Sequence, residues 1–85
     1  MIRAVGKRII VRLVEVEKQS IILQVDERKQ WQTARVISVG DDVEGVYEDN
    51  FVWFRAHAGL ILGYDDVEYL SLDISEVLGV AVELA

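Results

Sequence analysis

The feature that most constrains the fold is a series of short apolar runs separated by turn signals. Val and Ile account for 22 of the 85 residues, and β-branched side chains favour strands. The runs cover residues 8–16, 34–39, 51–55, 59–63, 67–72 and 78–84. Short strands at this spacing are typical of an all-β barrel or sandwich. We therefore predict one all-β domain over residues 1–85.

The patterns within the runs predict which side chains face the core. The first run alternates, and its odd-numbered residues form one apolar face: Ile9, Val11 and Leu13. The last run also alternates, and its even-numbered residues form one face: Leu78, Val80, Val82 and Leu84. We expect both faces to line the core or a subunit seam. The aromatic run predicts core positions for Trp53 and Phe54, and residues 73–76 predict one helical turn.

The small size of the chain indicates that it associates with copies of itself. A domain of this length buries about 60% of the surface of its unfolded chain, and such domains usually need disulfides, metals or oligomerisation. The sequence has no Cys and a single His, His57. Disulfides, thiolate metal sites and His clusters are therefore excluded, and self-association is the stabilising device that we predict.

The charge distribution argues against nucleic acid as a partner and favours association between copies of the chain. Fifteen Asp and Glu against nine Lys and Arg give a net charge of −6, whereas a surface that binds nucleic acid needs a basic stripe. Residues 1–35 hold eight basic and four acidic groups, and residues 56–85 hold six acidic groups and no Lys or Arg. A basic start and an acidic end favour head-to-tail association, although chance gives small chains such asymmetry too.

No segment of the sequence resembles a membrane anchor or an export signal. No apolar run reaches the roughly 18 residues that a membrane span needs, and the first residues lack the pattern of a secretory signal. We therefore expect no membrane partner and a soluble protein of a reducing compartment.

A polar segment, residues 17–32, interrupts the strand pattern between two confident runs. It contains an apolar island formed by Ile21, Ile22 and Leu23, with Val25 just beyond. A connection of this length inside a small domain is usually functional or disordered. Two interpretations stay open from the residues alone: a docking loop with an exposed apolar anchor, or a hairpin in which residues 21–25 form another strand.

Motifs along nearly the whole chain occur in a known order. They are residues 2–11 (IRAVGKRIIV), 21–23 (IIL), 33–40 (TARVISVG), 50–54 (NFVWF), 68–72 (EYLSL) and 74–80 (ISEVLGV). Each motif alone is weak, but the ordered set resembles the GroES-type co-chaperonins, the chaperonin-10 family. Their opening I-R-P-L-x-D-R-V-I-V, their I-V-L tripeptide and their E-Y-L-I-L strand have counterparts here.

The chain also departs from the pattern of this family. Ala4 stands where the family has Pro, and Lys7 where it has Asp. The tripeptide lacks its Gly-rich flanks. Residues 41–49 form a shortened roof loop in place of a longer hairpin. Shortened roofs are known among phage-encoded members, so the departures fit a phage origin as well as a bacterial one.

The resemblance implies a partly open β-barrel with a long mobile loop, about residues 17–32, that assembles into a ring, most often a heptamer. It implies that these loops dock on the apical domains of a GroEL-type chaperonin through Ile21, Ile22, Leu23 and Val25. The ring would act as a lid over a chamber in the bacterial or host cytoplasm, where a client folds while the chaperonin consumes ATP. Five acidic groups in residues 41–49 favour an aperture in the roof.

Other function classes find little support in the sequence. The acidic clusters at residues 41–44 and 65–68 are typical of solvated turns and lack the spacing of a calcium loop. His57 has no partner nearby in sequence for base catalysis, and no Gly-rich phosphate loop is present. We therefore expect no enzyme activity, catalytic residue, cofactor or metal. The alternative function is a small acidic β-barrel adaptor that binds peptide partners.

Overall fold

The chain forms one open antiparallel sheet in a computed structural model that describes residues 1–13 and 31–83. The strands are β1 (Arg8–Leu13), β2 (Trp31–Val39), β3 (Phe51–Arg55), β4 (Leu60–Tyr64), β5 (Val67–Asp73) and β6 (Val77–Ala81). A single 3-10 turn, Ile74–Glu76, joins β5 to β6. Among the described strands the sheet order is β4-β5-β1-β2-β3-β6, so β4 and β6 lie at its two edges. The predicted all-β class and partly open architecture are confirmed.

Strand β1 lies in the interior of the sheet and pairs on both sides. It is antiparallel to β2 and to β5, so that Ile9 stands between Val39 and Leu72. Val11 stands between Val36 and Leu70 in the same way. The alternating pattern of the first run therefore becomes an interior strand in which Ile9 and Val11 meet apolar residues on both neighbours. Leu13, predicted on the same face, is 57% exposed, because it lies beyond the last pair of β1 with β5, Val11 opposite Leu70.

One face of the sheet carries the hydrophobic core. Its buried members are Ile9, Val11, Ala34, Val36, Val46, Val52, Phe54, Leu70 and Leu72. Phe54 is the largest fully buried side chain. Val46 comes from the connection between β2 and β3, so this loop is anchored in the core. Apolar burial of about 25 cal/mol per Å² is the main force that holds such a sheet in shape.

The opposite face of β1 is also covered. Ile10 is buried there between Ser38 of β2 and Ser71 of β5. The backbone N–H of Ala4 donates to Ser38 Oγ over 3.0 Å. Arg8 Nε donates to Ser71 Oγ over 2.9 Å, and its Nη2 donates to the Ser71 carbonyl over 3.2 Å. The buried hydroxyls thus find partners, as a low-dielectric environment requires.

Two details of the strand prediction differ from the structure. Strand β2 begins at Trp31 and not at Ala34, because its first residues pair with β3, Trp31 opposite Arg55. The polar residues in this stretch concealed the extra pairing. Trp53 is half-buried and not a core residue, because it points away from the face that Phe54 occupies.

The even-numbered face of the last run is exposed in the subunit. Leu78 is 66% exposed and Val82 is 79% exposed. The register of β6 against β3 shifts between Trp53 and Phe54. Burial still alternates along the strand, but the odd-numbered residues Val77, Gly79 and Ala81 are the more buried ones. Leu84 lies outside the described residues. This face does not fill the core of the subunit, and its predicted role at a seam stays a prediction.

The hairpin of β4 and β5 turns at two adjacent aspartates. Asp65 and Asp66 have φ values of 55° and 63°, which is the mark of a type I′ turn. This turn matches the twist of the two strands but favours Asn-Gly at its centre. The turn predicted after Tyr64 is confirmed.

The passage from β5 to β6 is held by a capping box. Asp73 Oδ2 accepts from the Ser75 backbone N–H over 2.9 Å and from Ser75 Oγ over 2.6 Å. Glu76 Oε1 accepts in return from the Asp73 backbone N–H over 2.9 Å. The Ser75 hydroxyl, then the Ser75 N–H, and then the charge of Arg8 and Lys7 hold the pKa of Asp73 below its ordinary value.

Gly59 allows the chain to pass close to β5. Its φ is +84°, and a Cβ there would meet the Ser71 carbonyl oxygen at 2.7 Å and Leu72 Cδ2 at 2.8 Å. We expect Gly59→Ala to destabilise the protein by about 1–3 kcal/mol, because the left-handed backbone and the contact both oppose a side chain. Urea midpoints of unfolding measure the change.

Gly63→Ala is the matched control, since a Cβ at Gly63 meets no atom within 4 Å. This variant should be neutral or up to about 1 kcal/mol more stable. Equal midpoints for Gly59→Ala and the wild type would contradict the close approach.

The capping box predicts that Asp73→Ala is more harmful at neutral than at acid pH. A lowered pKa in the folded state means that the ionised carboxylate stabilises the fold above the ordinary pKa of Asp. This contribution is lost as the pH falls through the lowered folded-state pKa. The difference in unfolding free energy between wild type and Asp73→Ala should therefore shrink from neutral pH to about pH 2.

Glu44→Ala removes the same charge from an exposed position and serves as its control. Its difference from the wild type should change less over the same pH range. A difference for Asp73→Ala that stays constant with pH would contradict the capping interaction.

Candidate functional site

The segment predicted to dock on the chaperonin connects β1 to β2, and both of its attachment points lie at the same end of this strand pair. β1 ends at Leu13, which stands opposite Ala34 of β2. β2 begins at Trp31, which stands opposite Arg55 of β3. Both attachment points are thus held by ladder pairs. This common end of β1 and β2, defined by Leu13 and Trp31, is called the loop end below.

The residues predicted to bind the chaperonin lie within this connection. Ile21, Ile22, Leu23 and Val25 fall outside the described residues, so their role stays a prediction. The choice between a docking loop and a hairpin over residues 21–25 is likewise untested. At the attachment point, Trp31 is half-buried, as expected for a side chain that packs back on the sheet.

A cavity of about 460 Å³ opens at the loop end. Apolar residues from three strands and a turn supply much of its lining: Leu13, Ala58, Gly59, Ile61 and Leu70. Polar side chains supply the rest: Arg12, Gln32, His57, Glu68 and Tyr69. A mostly apolar cleft with a few polar groups is typical of a binding surface. No pattern in the sequence predicted this cleft.

An aromatic and cationic group borders this cavity on the side of β5. The Arg12 guanidinium lies 6.0 Å from the centre of the Tyr69 ring. The Tyr64 and Tyr69 rings are 6.4 Å apart at an interplanar angle of 53°. The cation is thus attracted by the face of the ring, and the tilted ring pair is a favourable aromatic geometry. Arg12 and Tyr69 both line the cavity, so their contact lies in its wall.

The described residues do not assemble a catalytic centre. His57 is exposed, with a φ of 71° in the turn after β3. Within residues 1–13 and 31–83, no three His, Asp or Glu side chains converge to hold a metal ion.

The acidic connection between β2 and β3, residues 41–49, lies at the other end of β1. The Asp42 N–H donates to the Gly6 carbonyl over 3.0 Å, and the Asp49 N–H donates to the Val36 carbonyl over 2.9 Å. All its carboxylates are exposed: Asp41, Asp42, Glu44, Glu48 and Asp49. An ion pair joins Asp49 to Arg35 over 2.7 Å, and because both side chains are exposed it contributes little stability.

A known protein family matches nearly the whole sequence. The family described as "Chaperonin 10 Kd subunit" matches residues 1–81. The chain belongs to the chaperonin 10 family. Its resemblance to the GroES-type co-chaperonins is therefore confirmed, and the ordered set of short motifs is what identified it.

Bacterial members of the chaperonin 10 family align with nearly the entire chain. A co-chaperonin GroES of Campylobacter curvus is 37% identical over 78 residues, which cover 88% of this chain and 91% of the relative. One of Rubrobacter xylanophilus is 34% identical over 85 residues, which cover 95% and 97%. One of Campylobacter concisus is 36% identical over 78 residues, which cover 88% and 91%. These are divergent but full-length similarities.

The membership bears on the prediction about enzyme activity, because chaperonin 10 proteins are not a family of enzymes. In addition, the part of the chain that the structure describes has no helix of the length and apolarity that crossing a bilayer requires.

Proposed function

We propose that this protein is a co-chaperonin that caps the folding chamber of a GroEL-type chaperonin. The observation that carries the proposal is the match to the chaperonin 10 family over residues 1–81, together with relatives named co-chaperonin GroES. The protein itself catalyses no reaction and works in the cytoplasm, while the partner hydrolyses ATP. A peptide-binding adaptor is not favoured, because the family match covers almost the entire chain.

The loop end supports this function by the way it anchors the docking segment. Residues 14–30 connect two strands that the ladder holds in place at Leu13 and Trp31. A docking segment bound at both ends presents its apolar side chains from a defined position on the subunit. The segment contributes Ile21, Ile22, Leu23 and Val25 to the apical domain of the chaperonin.

Several copies on one ring turn weak docking into stable capping. Each segment that becomes ordered on binding loses conformational entropy, so a single contact is weak. Copies displayed on one ring bind with a high effective concentration and gain strength without new contacts. Weak individual contacts also permit release, which a lid that opens in each cycle requires.

The free edge at β6 supports assembly into a ring, most simply a heptamer. Leu78 is exposed on β6, and Val82 is exposed just after it. No strand of the described part of the chain pairs with the outer side of β6, and such edges pair with other chains. Residues 1–35 are net basic and residues 56–85 are acidic. The start of one subunit and the end of its neighbour therefore attract one another in a head-to-tail, closing interface.

The acidic connection supports a lid with an aperture. It exposes five carboxylates, at Asp41, Asp42, Glu44, Glu48 and Asp49. Copies that converge around a ring axis would bring like charges together, and their repulsion opposes a sealed roof. Residues 41–49 thus act as a short roof loop.

Refolding of a non-native client tests the proposed function directly. With a GroEL-type chaperonin and ATP, the yield of active client should rise when this protein is added. The protein without chaperonin serves as the control and should give no such rise. An unchanged yield with each of several chaperonins would contradict the proposal.

If residues 21–25 dock on the chaperonin, a substitution there should weaken chaperonin binding and leave the stability of the ring unchanged. Ile22→Asp should abolish chaperonin binding, because each loop of the ring loses the burial of a side chain worth about 1.5–3 kcal/mol and the losses multiply. Ring mass and melting temperature should stay close to those of the wild type. Binding is measured by co-sedimentation with the chaperonin and ATP.

Tyr47→Asp is the control for this variant, because Tyr47 is 69% exposed in the roof loop. It places the same charge far from the docking segment and should leave binding intact. If residues 21–25 form a buried strand instead, Ile22→Asp will lower the melting temperature steeply before binding is affected.

If β6 forms the contact between subunits, a charge placed on this strand should dissociate the ring. Native mass spectrometry at micromolar concentration should give one closed oligomer for the wild type. Leu78→Asp should give monomers with an intact fold, because a charge on the exposed edge opposes pairing without disturbing the core. A wild-type monomer throughout this concentration range would refute the ring.

A further inference from the structure

Residues 1–7 lie across the face of the sheet that is opposite the core. The backbone N–H of Ala4 donates to Ser38 Oγ of β2 over 3.0 Å. The Met1 ammonium group donates to the Tyr64 hydroxyl, at the end of β4, over 2.7 Å. Since β5 and β1 lie between β4 and β2 in the sheet, the segment passes over both of them. Residues 1–7 are called the strap below.

The strap is fixed firmly where it meets β1. The Asp42 N–H donates to the Gly6 carbonyl over 3.0 Å, and the Gly40 N–H donates to the Arg8 carbonyl over 2.9 Å. Gly6 has a φ of +60°, a backbone conformation that favours glycine. A Cβ at Gly40 would meet the Gly6 carbonyl oxygen. This close turn gives the strap a rigid base, and a hinge of few residues is enough to let the rest move.

Beyond this turn the strap is held weakly. In the described part of the chain, residues 1–4 make no backbone–backbone hydrogen bond and pair with no strand. Met1 is 91% exposed and Val5 is 73% exposed, and the even-numbered side chains between them are only half-buried. A segment with little burial and few hydrogen bonds opens at a low cost in free energy. The strap is therefore suited to leave the sheet without unfolding it.

The end of the chain complements the charge of the strap. Met1, with its ammonium group, Arg3 and Lys7 are exposed. Residues 56–85 hold six acidic groups and no Lys or Arg, so the start of one subunit attracts the end of its neighbour. The closed strap, however, keeps two polar groups and its even-numbered side chains against its own sheet. A neighbour that takes up these groups has to displace the strap first.

We propose that the strap is an autoinhibitory latch on subunit assembly, closed in the single subunit and open in the ring. Its role in assembly rests on the head-to-tail seam of the proposed function. The bond from the Met1 ammonium group to the Tyr64 hydroxyl holds the latch, because it is charge-assisted and lies farthest from the hinge. Only the open subunit assembles, so a larger closed fraction raises the concentration at which rings form.

Tyr64→Phe tests the latch. It removes the hydroxyl that accepts from Met1 and keeps the aromatic ring beside Tyr69. The concentration at which half of the rings dissociate should fall about fivefold, as expected when the open fraction gains the worth of one hydrogen bond. Sedimentation velocity on a dilution series measures this midpoint. In the monomer, the Ala4 amide proton should exchange faster than in the wild type.

Tyr47→Phe is the matched control, because the Tyr47 side chain is 69% exposed and lies outside the strap. It should leave both the midpoint and the exchange of the Ala4 amide unchanged. A hydroxyl that served only the stability of the fold would give the opposite result for Tyr64→Phe, a higher midpoint. An unchanged or higher midpoint, or no ring from either protein, would overturn the proposal.

A reversible lock tests the same step without weakening the strap. Ala4→Cys with Ser38→Cys places two thiols where the Ala4 nitrogen and Ser38 Oγ are 3.0 Å apart, and the chain has no other Cys. Mass spectrometry of the denatured protein verifies that the disulfide lies within one chain. The oxidised protein should stay monomeric at concentrations where its reduced form assembles. Rings built from oxidised, bridged subunits would overturn the proposal.

Capping distinguishes a failure of this inference from a failure of the proposed function. The reduced double variant should bind the chaperonin in the presence of ATP, and the oxidised one should not. Rings that respond to the lock but never cap a chaperonin would refute the lid function and leave the latch in place. Rings that form and cap while the strap is locked would refute the latch alone.

Discussion

The two-sided pairing of β1 is the interaction on which the rest of the structure depends. Ile9 and Val11 are fully buried because β2 and β5 flank them and the core closes over them. Removal of this strand would separate β4 and β5 from β2, β3 and β6. The described sheet extends outward from this interior strand to β4 at one edge and to β6 at the other.

The two edges of the sheet and the loop end are distinct places on the described subunit. Leu78 is exposed on β6 at one edge, and Leu60 and Ile61 are exposed on β4 at the other. Residues 14–30 are attached at a third place, where β1 ends and β2 begins. The proposed contacts with a neighbouring subunit and with a chaperonin therefore fall on different parts of the sheet.

The positions of the strands could be predicted from local sequence patterns. Which side chains of the edge strands β4 and β6 are exposed could not. Phe51–Arg55 was found with correct bounds, because an aromatic, apolar run between turns has few alternatives. The start of β2 was missed, since Gln32 and Thr33 look like loop residues until β3 is known to pair with them. The exposure of Ile61 and Leu78 depends on which strands end the sheet, and alternation within a strand carries no such information. The docking residues were predicted from the apolar island and the family resemblance, and they lie outside the described residues.

The strand order also fixes when this protein can fold during its synthesis. The first strand, Arg8–Leu13, gains its second partner only when Val67–Asp73 has emerged from the ribosome, because Ile9 pairs with Leu72. Closing so long a loop delays folding and exposes the apolar face of the nascent sheet for most of translation. During its synthesis this co-chaperonin is therefore itself an unfolded chain that exposes apolar surface, as its clients do.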